Sequence, residues 1–87
     1  GTTPVAVLAV PATATKPYFL RQTFNFVGGG VGSYSSCYLA LEGQGGQPIL
    51  PLYVGFVADL NVPFKAGEVV SIVCSNSTAH WTFVFSY

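Results

Sequence analysis

An all-β chain, a small antiparallel β-sandwich of about six or more strands, is what this sequence predicts, and three observations carry that expectation. No stretch of ten or more residues places apolar side chains at the three- and four-residue spacing of an amphipathic helix, and 10 glycines and 6 prolines interrupt the chain. Short runs rich in Val, Ile, Phe, Tyr and Thr recur instead, bounded by Gly, Pro, Asn and Ser. The last run is the strongest: Trp81, Phe83, Phe85 and Tyr87 share one face of an extended segment, and His80, Thr82, Val84 and Ser86 share the other. Each ring can bury roughly 150–250 Å², so the aromatic face has to be covered. The terminal segment is therefore expected to run centrally, with the earlier strands laid against it.

Taken in order, residues 5–10 form a β-favouring run between Pro4 and Pro11, which places it at a sheet edge because proline cannot donate to a ladder. Residues 12–17 read as a connector. Over residues 18–27 the alternation puts Tyr18, Leu20, Phe24 and Phe26 on one face and Arg21, Thr23 and Asn25 on the other. A glycine-rich turn at 28–33 leads to a third strand at 34–41, where Cys37, Leu39 and Leu41 oppose Tyr34, Ser36, Tyr38 and Ala40. A second glycine-rich turn spans 42–48. The longest strand candidate covers 49–60, with Leu50, Leu52, Val54, Phe56 and Ala58 inward and Gly55 marking a bulge or a close backbone approach. Residues 61–68 read as a turn, 69–74 as a strand apolar on nearly both sides, and 75–78 as the turn into the terminal strand.

The 87 residues suffice for one domain, 1–87, with a single core. Charged residues make up 7% of the chain, against roughly 25% in an ordinary soluble domain, with three basic and three acidic side chains and no net charge. So uncharged an exterior is hard to keep soluble, and much of it is expected to be covered by copies of the same chain. Lys16, Arg21 and Lys65 are scattered, which removes the electrostatic case for nucleic acid. No apolar run approaches the length of a membrane-spanning helix, so no membrane insertion is expected. The opening Gly1-Thr2-Thr3-Pro4 reads as the cut end of a longer protein.

Chemistry is sparse. His80 is the one side chain suited to general base work near neutral pH, and Cys37 and Cys74 are the candidate nucleophiles, but both cysteines fall on apolar strand faces. Glu42, Asp59 and Glu68 sit in or beside turns, and no ligand spacing such as C-x-x-C points to a metal. The 28–33 glycines lack the following helix that a phosphate cradle requires. The expectation is a protein with no catalytic set, no cofactor and no metal. One disulfide between Cys37 and Cys74 is open to the chain, yet their apolar settings favour two buried free thiols. Asn76-Ser77-Thr78 is a formal N-glycosylation acceptor that also reads as a plain polar turn.

The final third, Val62-Pro63-Phe64-Lys65-Ala66-Gly67-Glu68-Val69-Val70-Ser71-Ile72-Val73, a polar turn, then Trp81-Thr82-Phe83-Val84-Phe85-Ser86-Tyr87, resembles the heads of trimeric viral attachment fibres. Bacteriophage tail-fibre tips close with a similar Pro, Lys-Ala-Gly turn and two strands, and adenovirus fibre heads close on a strand similar to residues 82–87. The chain is far shorter than the common adenovirus head and lacks its Thr-Leu-Trp-Thr entry motif. The resemblance implies a β-sandwich head domain at the C-terminus of a longer fibre protein, a homotrimer, and adhesion to a host-cell protein or glycan receptor. It further implies a place on the virion surface after assembly in the host cell, and it assigns no receptor-binding residue. Tyr34, Tyr38 and Tyr53 are candidate contacts, though aromatics are enriched at interfaces of every kind. Two other functions remain open: a small carbohydrate-binding module, and a purely structural virion or appendage subunit.

Overall fold

The computed structural model describes residues 3–25, 37–53, 55–75 and 81–87. Eight strands and no helix occupy them: β1 (Val5–Ala9), β2 (Tyr18–Asn25), β3 (Cys37–Leu41), β4 (Pro48–Leu52), β5 (Gly55–Val57), β6 (Val62–Phe64), β7 (Val69–Cys74) and β8 (Trp81–Ser86). All pairings are antiparallel. One sheet has the order β1-β7-β3-β4; in the other, β2 is central, with β8 along one edge and β5 and β6 end to end along the other. Leu39, Val70 and Ile72 from the first sheet and Leu20 and Phe64 from the second belong to one buried cluster, which makes the two sheets a sandwich.

The eight strands come from six sequence segments because two segments break. Residues 49–60 do not form one strand: β4 belongs to the first sheet and β5 to the second, and the chain crosses between them at Gly55. Gly55 has φ of 106°, and a Cβ there would touch nothing within 4 Å. Backbone conformation rather than close approach therefore selects glycine. The crossing also overturns the single inward face assigned to this stretch, since Phe56 points out and is 62% exposed. The 61–68 segment contributes β6 before it turns, because Tyr18, Phe19 and Leu20 of β2 pair with Phe64, Pro63 and Val62. Its remainder is a tight turn in which Glu68 N–H donates to Lys65 O at 3.1 Å and Lys65 N–H donates to Glu68 Oε1 at 2.7 Å.

Other expectations hold. β1 lies at the edge of its sheet against β7, and β7 is interior, with Val70, Ser71, Ile72 and Cys74 all buried. Cys37 and Leu39 face the core as the alternation of β3 requires. The terminal strand keeps its alternation too, yet its position is corrected: among the described strands β8 pairs with β2 alone, so the central strand of that sheet is β2 and β8 is its edge.

Candidate functional site

Arg21 is where the second sheet acquires its outer surface. Leu20 pairs with Phe85 and Gln22 with Val84, so Arg21 is an extra residue in β2 with no partner in β8, a β-bulge. On its other side the chain breaks between β6 and β5, and Leu60 N–H donates to Arg21 O at 2.9 Å across that break. The side chain closes the irregularity. Arg21 Nε donates to Ser86 Oγ at 2.7 Å, Nη1 donates to Asn61 Oδ1, and the guanidinium lies 4.6 Å from the Phe19 ring centroid. One cation thus ties the end of β8 to the β5–β6 connection across β2.

An inserted residue reverses the side-chain parity beyond it. Thr23 and Asn25, expected outward, are buried, and Phe24, expected inward, is 37% exposed. Among the described residues buried Asn25 Oδ1 has no hydrogen-bond partner, a cost of the reversal. Phe24 pairs with Phe56 in β5 and with Thr82 in β8, and its ring meets that of Phe56 edge-on at 6.2 Å. Val84, 44% exposed, follows on the same face of β8. Phe24, Phe56, Thr82 and Val84 thus form an outward band without a charged side chain, ending at the β8 edge.

The inward face of β8 carries the aromatic row read from the sequence. Trp81 and Phe83 stack at 6.2 Å, Phe83 and Phe85 follow at 6.2 Å, and Phe85 meets buried Phe64 edge-on at 6.3 Å. Trp81, Phe83 and Phe85 pack on the core and are only half-buried, as expected of rings hung from an edge strand. Tyr87 departs from the row. It lies beyond β8, is 77% exposed, and stacks on Tyr18 with centroids 4.8 Å apart and planes at 16°. The two tyrosines and the 11–16 connector, with Pro11, Thr13, Thr15 and Lys16, line a cleft of about 260 Å³.

Cys37 and Cys74 form a disulfide, which corrects the preference for free thiols. The two face each other in the β3–β7 register with Cα atoms 4.1 Å apart, so the inward settings that argued for thiols place the sulfurs against one another. Neither is a nucleophile in this state. Among the described residues no group of three His, Cys, Asp or Glu side chains could hold a metal. Of the candidate contact tyrosines, Tyr38 is half-buried with its hydroxyl donating to Gly46 O at 3.4 Å, whereas Tyr53 is exposed. His80, Tyr34, Phe26, Val54, the 28–33 glycines and Asn76 lie outside the described residues.

Sequence reasoning missed Arg21 as an organiser, Phe24 and Phe56 as surface residues, and the cleft at Tyr18. Arg21 and Gln22, two long polar side chains in succession in a strand that also carries Tyr18, Phe19 and Phe24, were the one available sign of the bulge. No protein-family model matches the chain, and no match to it was found among curated proteins or among solved structures.

Proposed function

We propose that this chain is the receptor-binding head of a trimeric virus attachment fibre, standing on the virion surface and adhering to a host-cell protein or glycan. The observation that carries the reading is the uncharged band of Phe24, Phe56 and Val84 running to the outer edge of β8. Edge strands that stay solvated are commonly protected by Lys, Pro or bulges. Residues 81–87 contain neither lysine nor proline, and the bulge of the β2–β8 pair lies in β2, not in β8. A strand whose outer edge has no partner among the described strands, beside an apolar outer band, is suited to pairing with a sister chain. The disulfide accords with an extracellular or virion-surface setting, where such bonds persist.

The test is fluorescently labelled protein applied to a panel of cells, read by flow cytometry. Saturable staining of some cells, competed by unlabelled protein, is the expected result. A protein of trimeric mass that stains none of them would instead be a structural virion or appendage subunit. The tyrosine-lined cleft favours a second reading, a carbohydrate-binding module acting as a monomer or dimer. It is separated from the first by retention on a glycan array together with the mass of a single chain or a pair.

A further inference from the structure

The cleft at the end of the sandwich combines an aromatic wall, hydroxyl groups and one cationic side chain. Tyr87 is held against Tyr18, centroids 4.8 Å apart, and still leaves 77% of its surface to solvent. One ring face lies on a neighbour anchored in β2 and the rest is open. A ring already fixed by stacking loses little rotamer freedom when a ligand lies on it, so the platform is preorganised. Thr13 and Thr15, both exposed, can each donate and accept hydrogen bonds. Lys16 is the one charged residue in the lining, and among the described residues its ammonium has no ion pair.

We infer that this cleft binds a single pyranose ring that carries a carboxylate. The C–H face of a pyranose is apolar and flat enough to lie on a tyrosine ring, and its hydroxyls require partners such as the two threonines. Lys16, the one charged side chain in the lining, supplies the complement to a carboxylate. About 260 Å³ is below the range of roughly 300–1,000 Å³ typical of drug-sized ligands, which suits one sugar ring rather than an extended oligosaccharide. The inference deepens the attachment reading by naming the receptor group, and it rests on that reading for its biological setting.

The experiment is saturation-transfer NMR and chemical-shift titration of the full chain. The acidic probes are methyl β-D-glucuronide and the methyl glycoside of N-acetylneuraminic acid; methyl β-D-glucoside is the neutral control. At least one acidic sugar is expected to bind, with saturation transferred to its ring C–H protons and the shifts centred on Tyr18 and Tyr87. Lys16→Gln, an exposed change that spares the fold, should weaken that binding about tenfold and bring it to the level of the neutral control. Tyr87→Ala should abolish it, with the folded state of the variant checked by its melting curve. No binding of either acidic sugar, or equal binding by wild type and Lys16→Gln, overturns the inference. Cell staining distinguishes this failure from failure of the attachment reading. Staining unchanged in Lys16→Gln and Tyr87→Ala removes the cleft and leaves attachment standing. Acidic-sugar binding by a chain that stains no cell leaves the cleft and removes attachment.

Discussion

The two sheets share one core but are finished differently. The β1-β7-β3-β4 sheet is closed on itself: a disulfide joins its two interior strands, their inward residues are aliphatic or bridged, and Ala40 and Ser71 are buried on the outer side as well. The sheet centred on β2 is narrower and built from rings. A bulge and one arginine hold it together, its inward aromatics on β8 are half-buried, and its outer face shows Phe24, Phe56 and Val84. Stability is concentrated where the chain is sealed. The exposed rings Phe24 and Phe56 belong to the other sheet, and it is there that the proposed contact with other chains is placed.

The comparison can be broken most severely at the residue where the sheets meet. Phe64→Ala empties a fully buried ring site beneath Phe85, and a loss of about 3–5 kcal/mol is expected. Chemical denaturation at fixed protein concentration measures it. Phe83→Ala, at a half-buried ring of the same row, should cost clearly less. Equal losses would mean that the two sheets are equally sealed.

Removing the disulfide with the Cys37→Ala/Cys74→Ala pair should cost roughly 3–4 kcal/mol, the chain-entropy value for a loop closed over a sequence separation of 37. The melting temperature would fall in step, while the mass in solution is expected to stay the same, because the proposed interface lies on the other sheet. A change in mass would place the interface on the wrong sheet.

Arg21→Met keeps much of the length of the side chain and removes its hydrogen bonds to Ser86 and Asn61. A loss of about 1–2 kcal/mol is expected, with faster amide exchange over residues 81–86 and little change in β3 or β7. Ser71→Ala gives the smallest effect. The Ser71 hydroxyl is buried without a partner among the described residues, so its removal should be neutral or stabilising by up to about 1 kcal/mol. A clear destabilisation would reveal a partner for that hydroxyl.

Much of this contrast was legible in the residues, and the rest depended on events that periodicity does not encode. The absence of helices, the edge position of β1, the inward face of β3 and the alternation of β8 follow from composition and a period of two. The outer band does not, because one bulge at Arg21 and one left-handed glycine at position 55 each shift parity, and everything beyond them turns over. Phe24 and Phe56 were therefore read as core for a sound local reason and lie on the surface for a tertiary one. The disulfide was hidden differently. That Cys37 and Cys74 face inward could be read, but that they stand opposite each other is a fact of register between strands far apart in sequence. The tyrosine cleft joins Tyr18, Tyr87 and the 11–16 connector, which only the β2–β8 pairing brings together.

The central claim is that the β8 edge, unpaired among the described strands, and the band beside it are covered by sister chains, and the mass in solution tests it most directly. Light scattering on purified protein should give three times the 9.2 kDa chain, 27.6 kDa, holding on dilution through the micromolar range. Val84→Lys, which places a charge in the exposed band next to that edge, should lower the mass while leaving the β-sheet signal intact. A wild-type mass of 9.2 kDa at every concentration would contradict the account.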